Sequence, residues 1–165
     1  MFKRFLCCFL AMMFLCSFAV AETATYSSTK DVMAMLDAKD IKYTFAGMDN
    51  AKYEVIEIKN TDSDINYTYT IKLYMDDTIE NSGIRVWDVI TYSATDFSKV
   101  LRVCNTINCD YKYVTFVADE SDNTVYAEMD LIYRTDSVGE IHWEAILYMV
   151  DVLGENYEAL AVYNK

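Results

Sequence analysis

The sequence predicts an α+β domain in which helices pack against an antiparallel sheet of about five strands. Several stretches alternate apolar and polar residues with the two-residue period of β-strands. Three others place apolar residues at helical spacing behind a capping pattern. The strands come in runs with short connections and do not alternate strictly with helices, which favours antiparallel pairing. The predicted order of elements is α-β-β-β-(β)-α-β-β-α.

The first part of the domain is predicted to be a helix followed by two strands. Ser28 and Asp31 have the spacing of a helix N-cap and its partner, so we expect a helix from Thr29 to Ala38. A short strand from Tyr43 to Gly47 is expected to end at a glycine turn. The segment from Tyr53 to Lys59 alternates in polarity and is predicted to be the next strand.

The clearest strand signal lies in residues 66–75. One face of this strand carries Tyr67, Tyr69, Ile71, Leu73 and Met75. We interpret this face as core beneath the helices, and a ligand groove lined by the tyrosines is the alternative. After an acidic turn, the strand from Ile84 to Thr91 is apolar on both faces, which indicates a central position in the sheet.

The second half predicts a helix and a hairpin. A capping pattern at Ser93 to Asp96 precedes apolar residues at helical spacing, and this helix is expected to end near Asn108. The segments Tyr111 to Ala118 and Thr124 to Tyr133 are separated by an acidic turn and are predicted to pair.

A long helix is predicted to follow the hairpin, from about Val138 to Leu153. Gly154 is a candidate cap or kink, and the remaining tail is again helix-like. This helix is apolar over more than one stripe, so one stripe can pack on the sheet. The others either meet neighbouring helices or form an oligomer interface. The candidate interface residues are Trp143, Ile146, Leu147 and Val150.

The N-terminus has the pattern of a signal peptide. Lys3 and Arg4 precede an uncharged apolar run, and Ala19 to Ala21 forms a small-x-small cleavage site. We expect cleavage after Ala21, export to the periplasm or secretion, and no membrane span in the mature chain; a retained N-terminal anchor is the alternative. The predicted organisation is a signal peptide (1–21), a short flexible N-terminus (22–28) and a single domain (29–165).

Composition excludes several classes of function. Of the 14 basic residues, Lys3 and Arg4 leave with the signal peptide, so 12 remain against 26 acidic residues, a net charge of −14. Such a surface repels nucleic acid and anionic lipid. The acidity is interpreted either as a means of solubility or as a match for a basic protein partner. The 14 tyrosines and two tryptophans, together with regular periodicity, argue against disorder.

The mature chain offers few residues for catalysis. His142 is the single histidine, and Cys104 and Cys109 are the two cysteines that remain after cleavage. A zinc site normally takes four ligands, and neither a glycine-rich phosphate loop nor a nucleophile elbow occurs. We therefore expect no catalytic residues, no metal and no cofactor.

Cys104 and Cys109 leave three possibilities open. In a continuous helix they point about 140° apart and lie about 7.5 Å apart along the axis, which forbids a disulfide. If the helix ends at Asn108 and the chain curls back, a local disulfide becomes possible, and export makes oxidation plausible. Two free thiols are the alternative, and redox catalysis is disfavoured because the spacing is not C-x-x-C.

Around these cysteines the chain resembles a known family. The segment VLRVCNTINCDYKYVTFVADESDNTVYAEMDLIY, followed by SVGEIHWEAILYMVDVLGENYEAL, is similar to the YbjN family of bacterial sensory-transduction-regulator-like domains. Asn105 and Asn108 are the most specific positions of this similarity. The resemblance implies a type III secretion chaperone-like fold, frequent dimerisation, a regulatory role and no catalytic residues to transfer. Ile107 occupies a position that is often aromatic in that family.

These observations predict an exported, non-enzymatic module that binds another protein and forms a homodimer. The alternative is a periplasmic binder of a small apolar or aromatic ligand, which would use the tyrosine-rich strand face.

Overall fold

The computed structural model describes residues 23–76 and 81–165. The predicted signal peptide (1–21) lies outside the described residues, as does most of the acidic turn before the fourth strand. The helices are α1 (Ser27–Ala38), α2 (Phe97–Asp110) and α3 (Val138–Ala161), with a 3₁₀ turn at Ala94–Asp96. The strands are β1 (Thr44–Asp49), β2 (Tyr53–Asp62), β3 (Tyr67–Asp76), β4 (Asn81–Thr91), β5 (Thr115–Asp119) and β6 (Thr124–Ile132).

The strands of the described chain form one antiparallel sheet in the order β1-β2-β3-β4-β6-β5. The helices pack on it, so the predicted α+β class and the order of elements are confirmed. The strand from Ile84 to Thr91 lies in the interior of the sheet, between β3 and β6, as expected.

The core lies between the helices and one face of the sheet. On β3, Tyr69, Ile71, Leu73 and Met75 are each at most 5% exposed, which confirms the core interpretation of this face. Tyr67 is half-buried, and its ring stacks on Tyr157 of α3 at 4.0 Å between centroids. The two-residue period therefore identified the buried face correctly.

A β-bulge explains why β4 is apolar on both faces. Its pairing with β6 shifts register between Val86 and Ile90, and Asp88 within this stretch has a φ of 53°. Val89 and Ile90 are consecutive, yet both are 1% exposed. Between Val86 and Ile90, β4 advances four residues while β6 advances two, so β4 carries two extra residues. Ile84, Val86 and Ile90 keep one two-residue alternation, and Val89 enters the core as an additional side chain.

Helix α1 begins earlier than predicted and has a different N-terminal partner. It starts at Ser27, and Ser28 lies inside the helix without a side-chain cap. The Glu54 carboxylate of β2 instead accepts hydrogen bonds from the backbone N–H groups of Thr25 and Tyr26, at 2.5 and 3.2 Å. Ser27 and Ser28, which were expected to precede the domain, therefore belong to α1, and a buried carboxylate from the sheet contacts the two residues before it.

Three predicted boundaries are also corrected. The first hairpin turns at Asn50 and Ala51, which both have positive φ, while Gly47 lies in a bulge within β1. The Lys52 N–H donates to the Asp49 carbonyl across these two residues at 3.1 Å, and two consecutive positive φ values suit the twist of the flanking strands. Helix α2 continues two residues past Asn108, and α3 passes through Gly154 without ending. Tertiary packing keeps these last turns helical at the positions where breaks were expected.

A close contact between helices fixes the helical layer on the sheet. A Cβ atom at Gly139 would lie 3.0 Å from the Met35 Cβ and 3.2 Å from the Asp31 carbonyl oxygen. Glycine therefore allows the close approach of α3 to α1, and a larger residue would force one of the two helices to shift. Among the described residues, no helix is long and apolar enough to cross a membrane.

Candidate functional site

The two cysteines lie on one continuous helix, so they do not form the disulfide that was one alternative. Cys104 is 1% exposed within the core, whereas Cys109 is exposed one and a half turns later, and both are free thiols. Burial raises the pKa of the Cys104 thiol to about 11. Because the thiolate is the reactive form, Cys104 behaves as a small core residue and not as a nucleophile.

Asn108 holds the edge of the sheet, although it does not end the helix. Its Nδ2 group donates to the carbonyl of Phe116 at 2.9 Å, and the Phe116 N–H donates to its Oδ1 at 2.7 Å. The side-chain amide thus replaces a neighbouring strand for one residue of β5. Asn105 is exposed on the helix surface. Of these two asparagines, only Asn108 makes side-chain hydrogen bonds that define a structural role.

The predicted interface on α3 divides into two groups. Ile146 is 5% exposed and belongs to the core, so its assignment to an interface is wrong. Leu147 is 40% exposed, and Trp143 and Val150 are half-buried. The Lys39 ammonium of the α1 C-cap lies 5.6 Å from the Trp143 ring. Three of the four residues therefore remain accessible on the outside of the helical layer.

The single histidine is fully buried and has a partner that the sequence does not indicate. Ser82 of β4 lies with its Oγ 2.6 Å from the His142 Nε2, and the His142 Nδ1 lies 2.7 Å from the Val138 carbonyl oxygen. A carbonyl oxygen only accepts, so Nδ1 carries the proton and Nε2 accepts the Ser82 hydroxyl. Burial lowers the pKa of His142, which keeps the ring neutral.

This pair has the atomic arrangement of a nucleophile and its base, but it lies in the core. Ser82 is 4% exposed and His142 is 0% exposed. A serine nucleophile acts only on a substrate that reaches its oxygen. In this conformation the two side chains satisfy each other's hydrogen bonds inside the core, which is their structural role.

The opposite face of the sheet carries a row of aromatic rings across four neighbouring strands. Tyr53 and Tyr74 meet edge-to-face at 6.1 Å, and Trp87 lies 4.9 Å from Tyr126. The Trp87 indole N–H donates to the Tyr74 hydroxyl at 3.0 Å, which links the two pairs. Trp87 is 44% exposed. We call these four residues the aromatic row.

A cleft of about 590 Å³ lies along part of the aromatic row. Tyr53, Tyr74 and Trp87 line it together with Arg85, and Asp49 and Asp130 lie at its sides. This volume falls within the usual range of small-molecule and side-chain pockets, about 300–1,000 Å³. The cleft combines flat apolar rings with a few charged groups, which is the composition of a recognition site.

Arg85 is held in place by its own neighbours. Its Nε lies 3.2 Å from Glu128, and its Nη2 donates to Asp130 at 2.9 Å. Its Nη1 donates to the carbonyls of Ile84 and Met129 at 3.0 and 3.1 Å. A guanidinium with these partners has little capacity left for a ligand anion.

Local backbone features position the cleft. Gly83 leaves room for the Arg85 side chain, because a Cβ atom there would lie 3.2 Å from the Arg85 Nη1. The bulge at Asp88 directly follows Trp87, and bulges commonly redirect side chains near functional sites. The sequence gives no local signal for this cleft, because its residues come from separate strands and only the strand register brings them together.

The described residues contain no group of three or more His, Cys, Asp or Glu side chains that could hold a metal ion. No protein-family model matches the chain, and no curated protein matches it in sequence.

Proposed function

We propose that this chain is an exported, non-enzymatic binding module that recognises a protein partner through the uncovered face of its sheet. The single observation that carries the proposal is the aromatic row with its cleft. Interfaces concentrate binding energy in exposed Trp, Tyr and Arg side chains that are already held in place. Trp87 and the partly exposed Tyr74 meet that description, since the hydrogen bond between them is formed before any ligand binds. The resemblance to the YbjN family supports a regulatory role over a catalytic one.

The proposal is tested by using the chain to capture partner proteins from the native envelope fraction. The wild type is compared with variants that change either the uncovered sheet face or the outer side of α3. The double variant Trp87→Ala with Tyr74→Ala is expected to lose a partner that the wild-type chain retains. The matched control is Trp143→Ala with Leu147→Ala on α3, which is expected to retain it. Equal capture by the wild type and the Trp87 and Tyr74 variant would contradict the proposal.

We also propose that the chain forms a homodimer through the outer side of α3. Leu147, Trp143 and Val150 are apolar and accessible there. The full chain has a net charge of −12, and −14 without its predicted signal peptide, so two copies repel each other and an apolar contact such as this one favours self-association. Light scattering is expected to give the mass of two chains, and Leu147→Asp is expected to give the mass of one. A wild-type monomer at micromolar concentration would contradict the dimer.

A small apolar or aromatic ligand is the second candidate function, and the cleft is the observation that favours it. The tyrosine face of β3, where such a ligand was expected, lies under α3. The cleft beside Tyr53 and Trp87 is open and of suitable volume. A thermal-shift screen separates the two functions, because a ligand that binds only the folded state raises the melting temperature.

A further inference from the structure

We propose that the cleft on the uncovered sheet face binds an organic cation, namely the ammonium or guanidinium group of a Lys or Arg side chain on the protein partner. This inference rests on the proposed function and names the chemistry that the partner presents. Its two supports are the aromatic lining of the cleft and the sign of the charge around it.

The charge balance of the cleft favours a positive ligand. Asp49 and Asp130 line it, and Glu128 lies beside Arg85. Arg85 is the only cation among the lining residues described, and both Glu128 and Asp130 already pair with it. The carboxylates in and beside the cleft therefore outnumber its one guanidinium, and Asp49 is not paired with Arg85. The whole mature chain carries a net charge of −14, which attracts a basic partner from a distance.

The aromatic lining suits the same kind of group. A cation is attracted to the face of Trp or Tyr within about 6 Å of the ring centroid. Tyr53, Tyr74 and Trp87 offer three rings to one cleft. A neutral apolar ligand would use the rings and leave Asp49 without a contact, whereas a cation uses both.

The chain already contains one contact of this type at the rim. The Lys52 ammonium lies 4.5 Å from the Tyr53 centroid, 2.6 Å from the Tyr53 hydroxyl and 3.6 Å from Asp76. An ammonium, a tyrosine ring and a carboxylate therefore meet next to the cleft within the chain itself. The cleft offers the same pairing of ring and carboxylate to a cation from outside.

Calorimetric titration of the mature chain with short peptides tests the inference. Tetra-lysine and tetra-arginine peptides are expected to bind, more weakly as salt rises toward about 0.15 M, whereas a tetra-glutamate peptide is expected not to bind. Trp87→Ala is expected to weaken binding about tenfold, which corresponds to about 1.4 kcal/mol. Asp49→Asn is expected to weaken it about threefold, since it removes one carboxylate without disturbing Arg85.

Matched variants control for non-specific charge and for folding. Asp136→Asn changes an exposed carboxylate that does not line the cleft, and Trp143→Ala removes the other tryptophan. Both are expected to bind as the wild type does, and Trp87→Phe is expected to recover most of the affinity. Urea unfolding of each variant shows that the fold is retained.

The outcomes separate this inference from the proposed function. Basic peptides that bind equally well to wild type and Trp87→Ala would overturn the cleft as the cation site. Binding of free spermidine but of no peptide would support a cation site and overturn the protein partner. If no cation binds, while the envelope partner is still lost on Trp87 and Tyr74 replacement, the cation inference fails and the proposed function stands.

Discussion

The two faces of the sheet have the same backbone and opposite surroundings. On the covered face of β3 and β4, side chains such as Leu73 and Ile84 are fully buried beneath the helices. On the uncovered face of the same strands, Tyr74 and Trp87 touch each other and remain partly exposed. Large side chains on the first face are explained by the core. Those on the second face have no such explanation within the domain, so that face is where recognition is expected.

The largest expected effect is a difference in the free energy of unfolding between substitutions on the two faces of the sheet. Leu73→Ala removes a fully buried side chain and is expected to lower the free energy of unfolding by about 2–5 kcal/mol. Its neighbour Lys72 points to the uncovered face and pairs with Glu57 at 2.7 Å, with both side chains about one-third exposed. Lys72→Ala is expected to cost less than about 1 kcal/mol. Urea denaturation measures the free energy of unfolding of both variants. Similar losses in the two variants would contradict the difference between the faces.

The next effect tests the packing of the helices on the covered face. Gly139→Ala places a methyl group 3.0 Å from the Met35 Cβ, so α1 must move, at an expected cost of about 1–3 kcal/mol. Gly154→Ala in the same helix meets only the Asp62 Oδ2 at 3.2 Å, so a side-chain atom and not backbone has to shift, by a few tenths of an ångström. This control is expected to gain about 0.5–1 kcal/mol from helix propensity. A destabilised Gly154→Ala protein would show that the helix is strained there.

A smaller effect is expected at the sheet edge. Asn108→Ala leaves both the N–H and the carbonyl of Phe116 without their partner and is expected to cost about 1–2 kcal/mol. Asn105→Ala, three residues earlier and exposed, is expected to stay within about 0.5 kcal/mol. Thermal unfolding of the two variants measures the difference. Equal melting temperatures would remove the structural role assigned to Asn108.

The sequence predicted the covered face better than the uncovered one, and the reason is physical. Burial imposes a two-residue period on β3, and that period is visible in residues 67–75. The aromatic row has no period along the chain, because Tyr53, Tyr74, Trp87 and Tyr126 come from four strands. The strand register and the bulge after Trp87 align them. Ser82 and His142 are likewise sixty residues apart in sequence.

Other errors came from local patterns that tertiary contacts overrode. Ser28 has the spacing of an N-cap, but the Glu54 carboxylate from β2 holds the start of α1. Gly154 is a plausible helix end, yet the helix continues because Leu160 beyond it is fully buried. Such contacts come from residues that are distant in sequence, so the residues next to a helix end do not predict them.

The smallest expected effect is a pH dependence that belongs to the covered face. The unfolded chain protonates His142 near its ordinary pKa of 6.5, whereas burial lowers this pKa in the folded chain. The unfolded state therefore binds more protons, so the free energy of unfolding falls as pH drops below about 6.5. Urea denaturation between pH 7 and pH 5 is expected to show this slope, and His142→Gln is expected to flatten it.

Glu54 provides the control for this pH dependence. Burial by itself would raise the pKa of Glu54, but hydrogen bonds from Thr25 and Tyr26 lower it overall. Its stabilising effect is therefore present above its ordinary pKa of 4.5 and is lost as pH falls below that value. In Glu54→Gln, the free energy of unfolding is expected to keep its pH dependence between pH 7 and pH 5. The pH dependence below the ordinary pKa of Glu54 is expected to be lost. A retained slope in His142→Gln would assign the titration to another group.

Tryptophan fluorescence tests most directly the claim that the uncovered face is the recognition surface. The chain has two tryptophans, Trp87 on that face and Trp143 on α3, so Trp143→Phe and Trp87→Phe each leave one reporter. During titration with the tetra-lysine peptide or the captured partner, the emission of the protein that retains Trp87 is expected to change. The protein that retains Trp143 is expected to show no change. A response from Trp143 alone would contradict the account and move recognition to the helical layer.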